Sequence, residues 1–252
     1  MTASYKRSDS VPACVKKFDT SILDIFRVKD HTCIFKKKEI VDVLQVQIQT
    51  GPTQTTTKIV KVHKLLDQDG NPRKHLGYIY DEIDLMNKLK HPNIIKFHMA
   101  VHSVKDNALA FLMPKYDTLA SIMEQGPLKE IFIETVFIQV ACAMRYMHER
   151  SIVHCDVKPW NIFIDSKQKA ILADLDTAKK VNGDRLRVNQ WSGTSVFMAP
   201  ELPIQKSAYD GSVFVINPFK VRSCMTVSNS KVCCVAPFPA CSLDVGDHCF
   251  NK

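Results

Sequence analysis

Between His154 and Asn161 the chain reads His154-Cys155-Asp156-Val157-Lys158-Pro159-Trp160-Asn161. Within six positions it sets a carboxylate (Asp156), an ammonium (Lys158) and a side-chain amide (Asn161). Transfer of a phosphoryl group to a hydroxyl calls for these three kinds of group. A carboxylate orients or deprotonates the attacking oxygen, a cation sits beside the migrating charge, and a neutral oxygen serves as a ligand for Mg²⁺. The bland alternative is a surface loop of ordinary polar residues. Other chemistries are less well served. The nine cysteines contain no CxxC pair, and Cys233, Cys234, Cys241 and Cys249 match no zinc-site spacing, so reduced thiols are expected.

Positioning such a loop takes a folded scaffold, and the composition allows one. The 252 residues are 45% hydrophobic and 24% charged, with a formal net charge of +8. That share of apolar residues excludes a chain disordered throughout, and the length permits one large domain or two small ones. No apolar run reaches the roughly 18 residues of a membrane span, and the amino terminus lacks the apolar stretch of a signal peptide. The expected location is cytoplasmic, with the nucleus as a second possibility. The lysines are scattered without interleaved aromatics, so the charge does not point to nucleic acid.

Residues 1–27 read as a polar leader, expected to be disordered. From Thr32 to Val62 the chain is β-rich, with a turn at Thr50-Gly51-Pro52-Thr53 that predicts a hairpin. Ile79, Glu82, Ile83, Met86 and Leu89 recur every three or four residues and predict an amphipathic helix, ended by His91-Pro92-Asn93. Strands are expected over 94–101 and 108–113. A long amphipathic helix is marked by Val136, Val140, Ala143, Met144 and Met147, and short strands should follow at 151–153, 162–164 and 170–173. Strands first and helices later make an α+β pattern.

The stretch from His154 to Asn161 resembles the catalytic loop of eukaryotic protein kinases of the serine/threonine type, H-x-D-x-K-P-x-N. Five fixed letters would match by chance in this length on the order of 10⁻⁴ times. Asp174-Leu175-Asp176, eighteen residues after Asp156, stands where the family has D-F-G, and Gly193-Thr194 with Ala199-Pro200-Glu201 resembles the end of the activation segment. The resemblance implies a two-lobed fold, with an antiparallel sheet and one helix in the amino-terminal lobe (28–113) and an incomplete helical lobe at 114–212. It implies ATP and Mg²⁺ as cofactors and a protein hydroxyl as acceptor. Asp156 and Lys158 would be catalytic, and Asn161 and Asp174 would hold the metal. Lys61 would hold the α- and β-phosphates with Glu82 as its ion-pair partner; Lys58 and Lys64 leave the register of that lysine open. Met113 would be the gatekeeper of the nucleotide site, and Pro114-Lys115-Tyr116 the hinge that would meet adenine. Met86, Phe97, His154 and Leu175 would form the family's regulatory stack.

The chain also departs from the family. Residues 30–50 contain no glycine, where a glycine-rich loop should approach the phosphates, and Lys36-Lys37-Lys38 occupies the neighbourhood. Asp176 replaces a glycine. Cys155 replaces the arginine that reads a phosphate on the activation loop, which implies activity independent of that modification. Both tryptophans, Trp160 and Trp191, precede Ala199, so no D-x-W helix can follow, and 213–252 reads as a non-kinase, poorly ordered tail. Without that helix the apolar faces around Val136 to Met147 are expected to lie partly open, and the chain to need a chaperone or regulatory partner. These departures keep a second reading in view, a pseudokinase-like binding or regulatory protein.

Overall fold

The computed structural model describes residues 11–37, 40–73, 76–181, 187–188, 194 and 209–210. Gly193, the Ala199-Pro200-Glu201 motif, Lys38 and the tail at 213–252 lie outside the described residues. The chain divides into two units: one holds the described residues up to Lys90 with Ile95–Tyr116, the other holds His91–Ile94 and the residues from Asp117 onward. The expected α+β, two-lobed architecture is found.

The first unit is built on a six-stranded sheet. Its strands are β1 (Val15–Phe18), β2 (Val28–Lys37), β3 (Val41–Gln49), β4 (Thr55–Lys64), β5 (Met99–Ser103) and β6 (Ala108–Pro114), in the order β1-β5-β6-β4-β3-β2. All neighbours pair antiparallel except β1, which adds to the edge parallel to β5. The predicted hairpin is β3–β4, where the N–H groups of Thr50 and Gly51 close the turn on the Gln54 carbonyl. Val46, Ile48, Val60 and Val62 are buried in its apolar core. The predicted strand at 94–101 starts only at Met99.

Among its described residues this unit has two helices, α1 (Ile22–Ile25) and α2 (Leu76–Lys88). Helix α2 is the one expected, and its buried residues Ile79, Ile83 and Met86 follow the predicted spacing. The leader needs correction. Residues 11–27 are not loose: they form β1 and α1, and Ile22 and Phe26 enter the core. Ser21 caps α1, Asp106 accepts the N–H of Ile22 at 2.6 Å, and Ser103 donates its hydroxyl to the Thr20 carbonyl. Burying Ile22 and Phe26 is worth about 1.5–3 kcal/mol each, enough to hold a segment with little periodicity of its own.

The second unit contains β7 (Asp117–Thr118), α3 (Leu119–Met123), α4 (Glu130–His148), β8 (Ile152–Val153), β9 (Ile162–Ile164), β10 (Ala170–Leu172) and β11 (Lys179–Lys180). Arg187–Val188 and Tyr209–Asp210 pair as β12 and β13. Strands β10, β9 and β7 form a small antiparallel sheet, and β11 pairs with β8. The long helix is the predicted one. Its apolar face, however, is not open: Val136, Val140, Ala143, Met144 and Met147 are all buried, because α4 packs on β8 and β10. Its exposed isoleucines, Ile131 and Ile138, lie on the opposite side.

Candidate active site

In the second unit the chain leaves β8 through a turn in which Cys155 takes a positive φ of 67°. That backbone conformation is uncommon outside glycine, asparagine and aspartate. It is pinned on both sides. The buried His154 ring faces the Ala173 carbonyl through Nε2 at 2.9 Å and the Asp156 N–H through Nδ1 at 3.3 Å. A carbonyl can only accept and an N–H can only donate, so the neutral Nε2–H tautomer satisfies both contacts. Burial pushes the His154 pKa below its ordinary 6.5, against the pull of the Ala173 hydrogen bond and of the carboxylates of Asp174 and Asp156.

The three groups singled out in the sequence converge. Lys158 Nζ donates to Asp156 Oδ2 at 2.6 Å, and Asn161 Nδ2 donates to the Asp156 carbonyl at 2.8 Å and to Oδ2 at 3.1 Å. Thr194 joins them, giving its N–H and hydroxyl to Asp156 Oδ1 and accepting from Lys158 Nζ at 2.9 Å. Asp156 and Asn161 are buried, with Pro159–Asn161 closing the loop as a 3₁₀ turn. This arrangement replaces the bland alternative of a solvated polar loop.

The loop is tied to the segment after β10. The Ala173 N–H donates to the Asn161 carbonyl at 2.8 Å, so Asp174 follows directly on a residue bonded to both His154 and Asn161. Asp174 is half-buried with φ 62° and ψ 71°, and Leu175 behind it is 1% exposed. The left-handed backbone at Asp174 turns the chain there, and Leu175 starts a short 3₁₀ turn as an apolar plug. Asp176 is half-buried in the same turn.

The first unit holds the remaining candidates. Three lysines alternate along β4, and only one meets the helix. Lys61 Nζ donates to Glu82 Oε1 at 2.6 Å, while Lys58 lies against His98 and Lys64 against Asp42. Glu82 is 2% exposed, so it is a buried carboxylate and not a boundary residue in water. His63, two positions after Lys61 and therefore on the same face of β4, brings Nε2 within 3.7 Å of Glu82 Oε2 and stacks on Phe111. Sequence reasoning missed His63; the period-2 alternation from Lys61 was the available signal. Met113 is buried near the end of β6 opposite Ile59, Met86 is buried on α2, and Phe97 is half-buried. Lys115 is exposed and Tyr116 half-buried, just before the first unit ends. Lys36 and Lys37 end β2, where the Ile40 N–H donates to the Lys37 carbonyl.

Comparison with known proteins adds to this geometry. The model of the protein kinase domain family matches residues 47–215. The chain is 30% identical over 155 residues to serine/threonine-protein kinase Nek2 of Homo sapiens, covering 56% of this chain and 35% of that one. It is 36% identical over 126 residues to a serine/threonine-protein kinase US3 homolog of Gallid herpesvirus 2 (strain GA), covering 48% and 31%. It is 30% identical over 132 residues to a calcium/calmodulin-dependent protein kinase kinase of Caenorhabditis elegans, covering 51% and 24%. The chain thus spans about a third or less of the length of these curated relatives.

Proposed function

Because this chain belongs to the protein kinase family, we propose that it is a serine/threonine kinase that moves the γ-phosphoryl group of ATP to a protein hydroxyl. The observation that carries the reading is the convergence of Lys158, Asn161 and Thr194 on the buried carboxylate of Asp156. In this reading Asp156 orients the acceptor hydroxyl and takes up its proton. Lys158, already bonded to Asp156 and Thr194, balances the negative charge that develops beside it. Its presence with Thr194 favours an aliphatic hydroxyl over tyrosine, by resemblance to the family.

The residues fit Mg²⁺ and ATP. Asn161 commits its NH₂ to Asp156, and among the described residues its Oδ1 accepts no hydrogen bond, which leaves a hard oxygen for a cation. Asp174 would supply the second oxygen ligand. Bound Mg-ATP would supply the phosphoryl group and a cation that neutralises its oxygens. Lys61, held by Glu82, would bind phosphate oxygens, with Met113, Lys115 and Tyr116 beside the base.

One observation favours a second reading, a pseudokinase-like binder or regulator: the β2–β3 turn follows Lys36 and Lys37 and has no glycine, so a Cβ stands wherever the backbone would approach a phosphate. One experiment separates the readings. Transfer of labelled phosphate to a generic protein acceptor should fall about 10²–10⁴-fold in Asp156→Asn, with thermal stabilisation by Mg-ATP retained. Transfer that is absent in the unsubstituted chain, or unchanged in Asp156→Asn, overturns the enzyme assignment.

A further inference from the structure

One buried titratable side chain of the first unit has no part in the chemistry proposed for the site. His63 is 4% exposed and lies on the face of β4 that meets α2. Burial strips an imidazole of its hydration. An apolar residue between its strand neighbours, Val41 on β3 and Leu109 on β6, would avoid that cost.

The surroundings of the ring are specific. It stacks on Phe111 with centroids 5.4 Å apart, and Lys61 Nζ lies 5.5 Å from the centroid of the same phenylalanine. The two basic groups thus share one aromatic ring, whose face attracts cations. They also share one carboxylate. Lys61 donates to Glu82 Oε1 at 2.6 Å, and His63 Nε2 stands 3.7 Å from Oε2. The second distance is within reach of an ion pair but longer than the about 2.7–3.2 Å of an N–H···O hydrogen bond. Among the described residues, the charged groups that face the ring are Lys61 from its own strand and Glu82 from α2, while β3 and β6 set Val41, Leu109 and Phe111 beside it.

This arrangement matters once Lys61 is used. An ammonium that turns toward phosphate oxygens weakens its hold on Glu82, and a carboxylate at 2% exposure does not give up its cation without a large penalty. A proton taken from solvent onto the His63 ring supplies a replacement, at the oxygen that Lys61 does not bond. We propose that His63 is a positioning residue of the nucleotide site: it gains a proton and bonds Glu82 as Lys61 is drawn to the phosphates, so nucleotide binding is coupled to proton uptake. Because this rests on the reading of Lys61 as a phosphate-binding group, one arm of the test uses no nucleotide.

That arm uses Lys61→Met, which withdraws the ammonium by substitution. An imidazolium beside a carboxylate is stabilised relative to the unfolded chain. Its contribution is therefore fully present below the ordinary 6.5 of an unfolded histidine and fades as pH rises. Lys61→Met should lower the urea midpoint less at pH 6 than at pH 8, and in the His63→Gln background the same substitution should cost equally at both. A recovery at pH 6 that persists without His63 overturns the proposal, because Glu82 is then protonated itself. The absence of any recovery overturns it too.

The second arm measures the proton. Mg-ADP carries the α- and β-phosphates and no transferable group. Its calorimetric titration into the full chain at pH 7, in buffers of different ionisation enthalpy, should show uptake of up to about one proton per nucleotide, lost in His63→Gln. Binding without uptake, or an uptake unchanged in His63→Gln, overturns the proposal. Absence of nucleotide binding overturns it through the reading of Lys61, and that failure is told apart by a pH-dependent recovery of Lys61→Met that still stands.

Discussion

Thr194 donates its backbone N–H and its hydroxyl to the same oxygen of Asp156, each at 2.8 Å. The other oxygen of that carboxylate receives Lys158 and Asn161, so both are held from opposite sides. A carboxylate tethered in this way has little rotational freedom, and the group that fixes it lies 38 residues further along the chain.

In the proposed reading Thr194 is a positioning residue. Thr194→Val removes the hydroxyl and keeps the shape and the backbone N–H. The kcat for phosphoryl transfer should fall about 10–100-fold, the scale expected for a small misplacement of a reacting group, while the KM for nucleotide stays within about two-fold. Thr194→Ser should restore most of the rate. Equal rates in Thr194→Val and the unsubstituted chain would remove this role from Thr194.

The Lys61–Glu82 pair makes a stability prediction that does not rely on activity. Glu82 is fully enclosed and Lys61 nearly so, at 2% and 13% exposure of their side chains. Lys61→Met leaves the carboxylate with His63 as the cation-capable neighbour on β4, 3.7 Å from its other oxygen. Losing one partner of a buried pair costs about 3–5 kcal/mol, whereas replacing both by apolar residues is often close to neutral. Urea unfolding should show Lys61→Met well below the unsubstituted chain and Lys61→Met/Glu82→Leu above the single variant. If the double variant is the less stable of the two, the pair is not what makes the single change costly.

These two relationships also show what the sequence could and could not reveal. The β3–β4 hairpin, α2 and the loop from Asp156 to Asn161 were legible because each is a local pattern: alternation, helical spacing, or letters within six positions. The leader was misread because its order comes from Asp106 and Ser103, more than 80 residues away, which no local periodicity records. The choice among Lys58, Lys61 and Lys64 was open because all three occur in one strand at three-residue spacing; the position of Glu82 on α2 decides it. The face of α4 expected to be open proved closed, since β8 and β10 already cover it.

His154 gives the pH dependence. Its folded pKa lies below the 6.5 of the unfolded chain because burial disfavours the charged ring. Above pH 6.5 both states hold neutral histidine and its contribution is fully present. Below it the unfolded state takes up a proton that the native state refuses, so stability falls by up to about 1.4 kcal/mol per pH unit until the folded pKa is reached. Protonation would also place a hydrogen on Nδ1 against the Asp156 N–H. His98 and His102 are shifted the same way, so the comparison must be with His154→Gln, whose urea midpoints should fall less between pH 7.5 and 5.5. The ring protons of His154 followed by NMR should titrate with a midpoint below 6.5; a midpoint above 6.5 would contradict this account.

Strand β10, which leads to Asp174, is held by two side chains from outside its sheet. Gln139 Oε1 on α4 accepts the Ala170 N–H at 2.6 Å, and Asn93 Nδ2 donates to the Ala170 carbonyl at 2.7 Å and to Gln139 at 3.4 Å. The Leu172 N–H in turn donates to the Asn93 carbonyl. Gln139→Leu keeps the volume and leaves the buried Ala170 N–H without that acceptor, at a cost of about 1–3 kcal/mol. Asn93→Ala should cost a similar amount, and the double variant should cost less than the sum, because the two side chains share one residue and bond each other. The consequence should reach the site: a loosened β10 frees the segment that carries Ala173 and Asp174, so Mg-ATP should stabilise Gln139→Leu less than it does the unsubstituted chain. Additive losses in unfolding experiments, with an undiminished nucleotide-induced shift, would show that the clamp supports the strand alone.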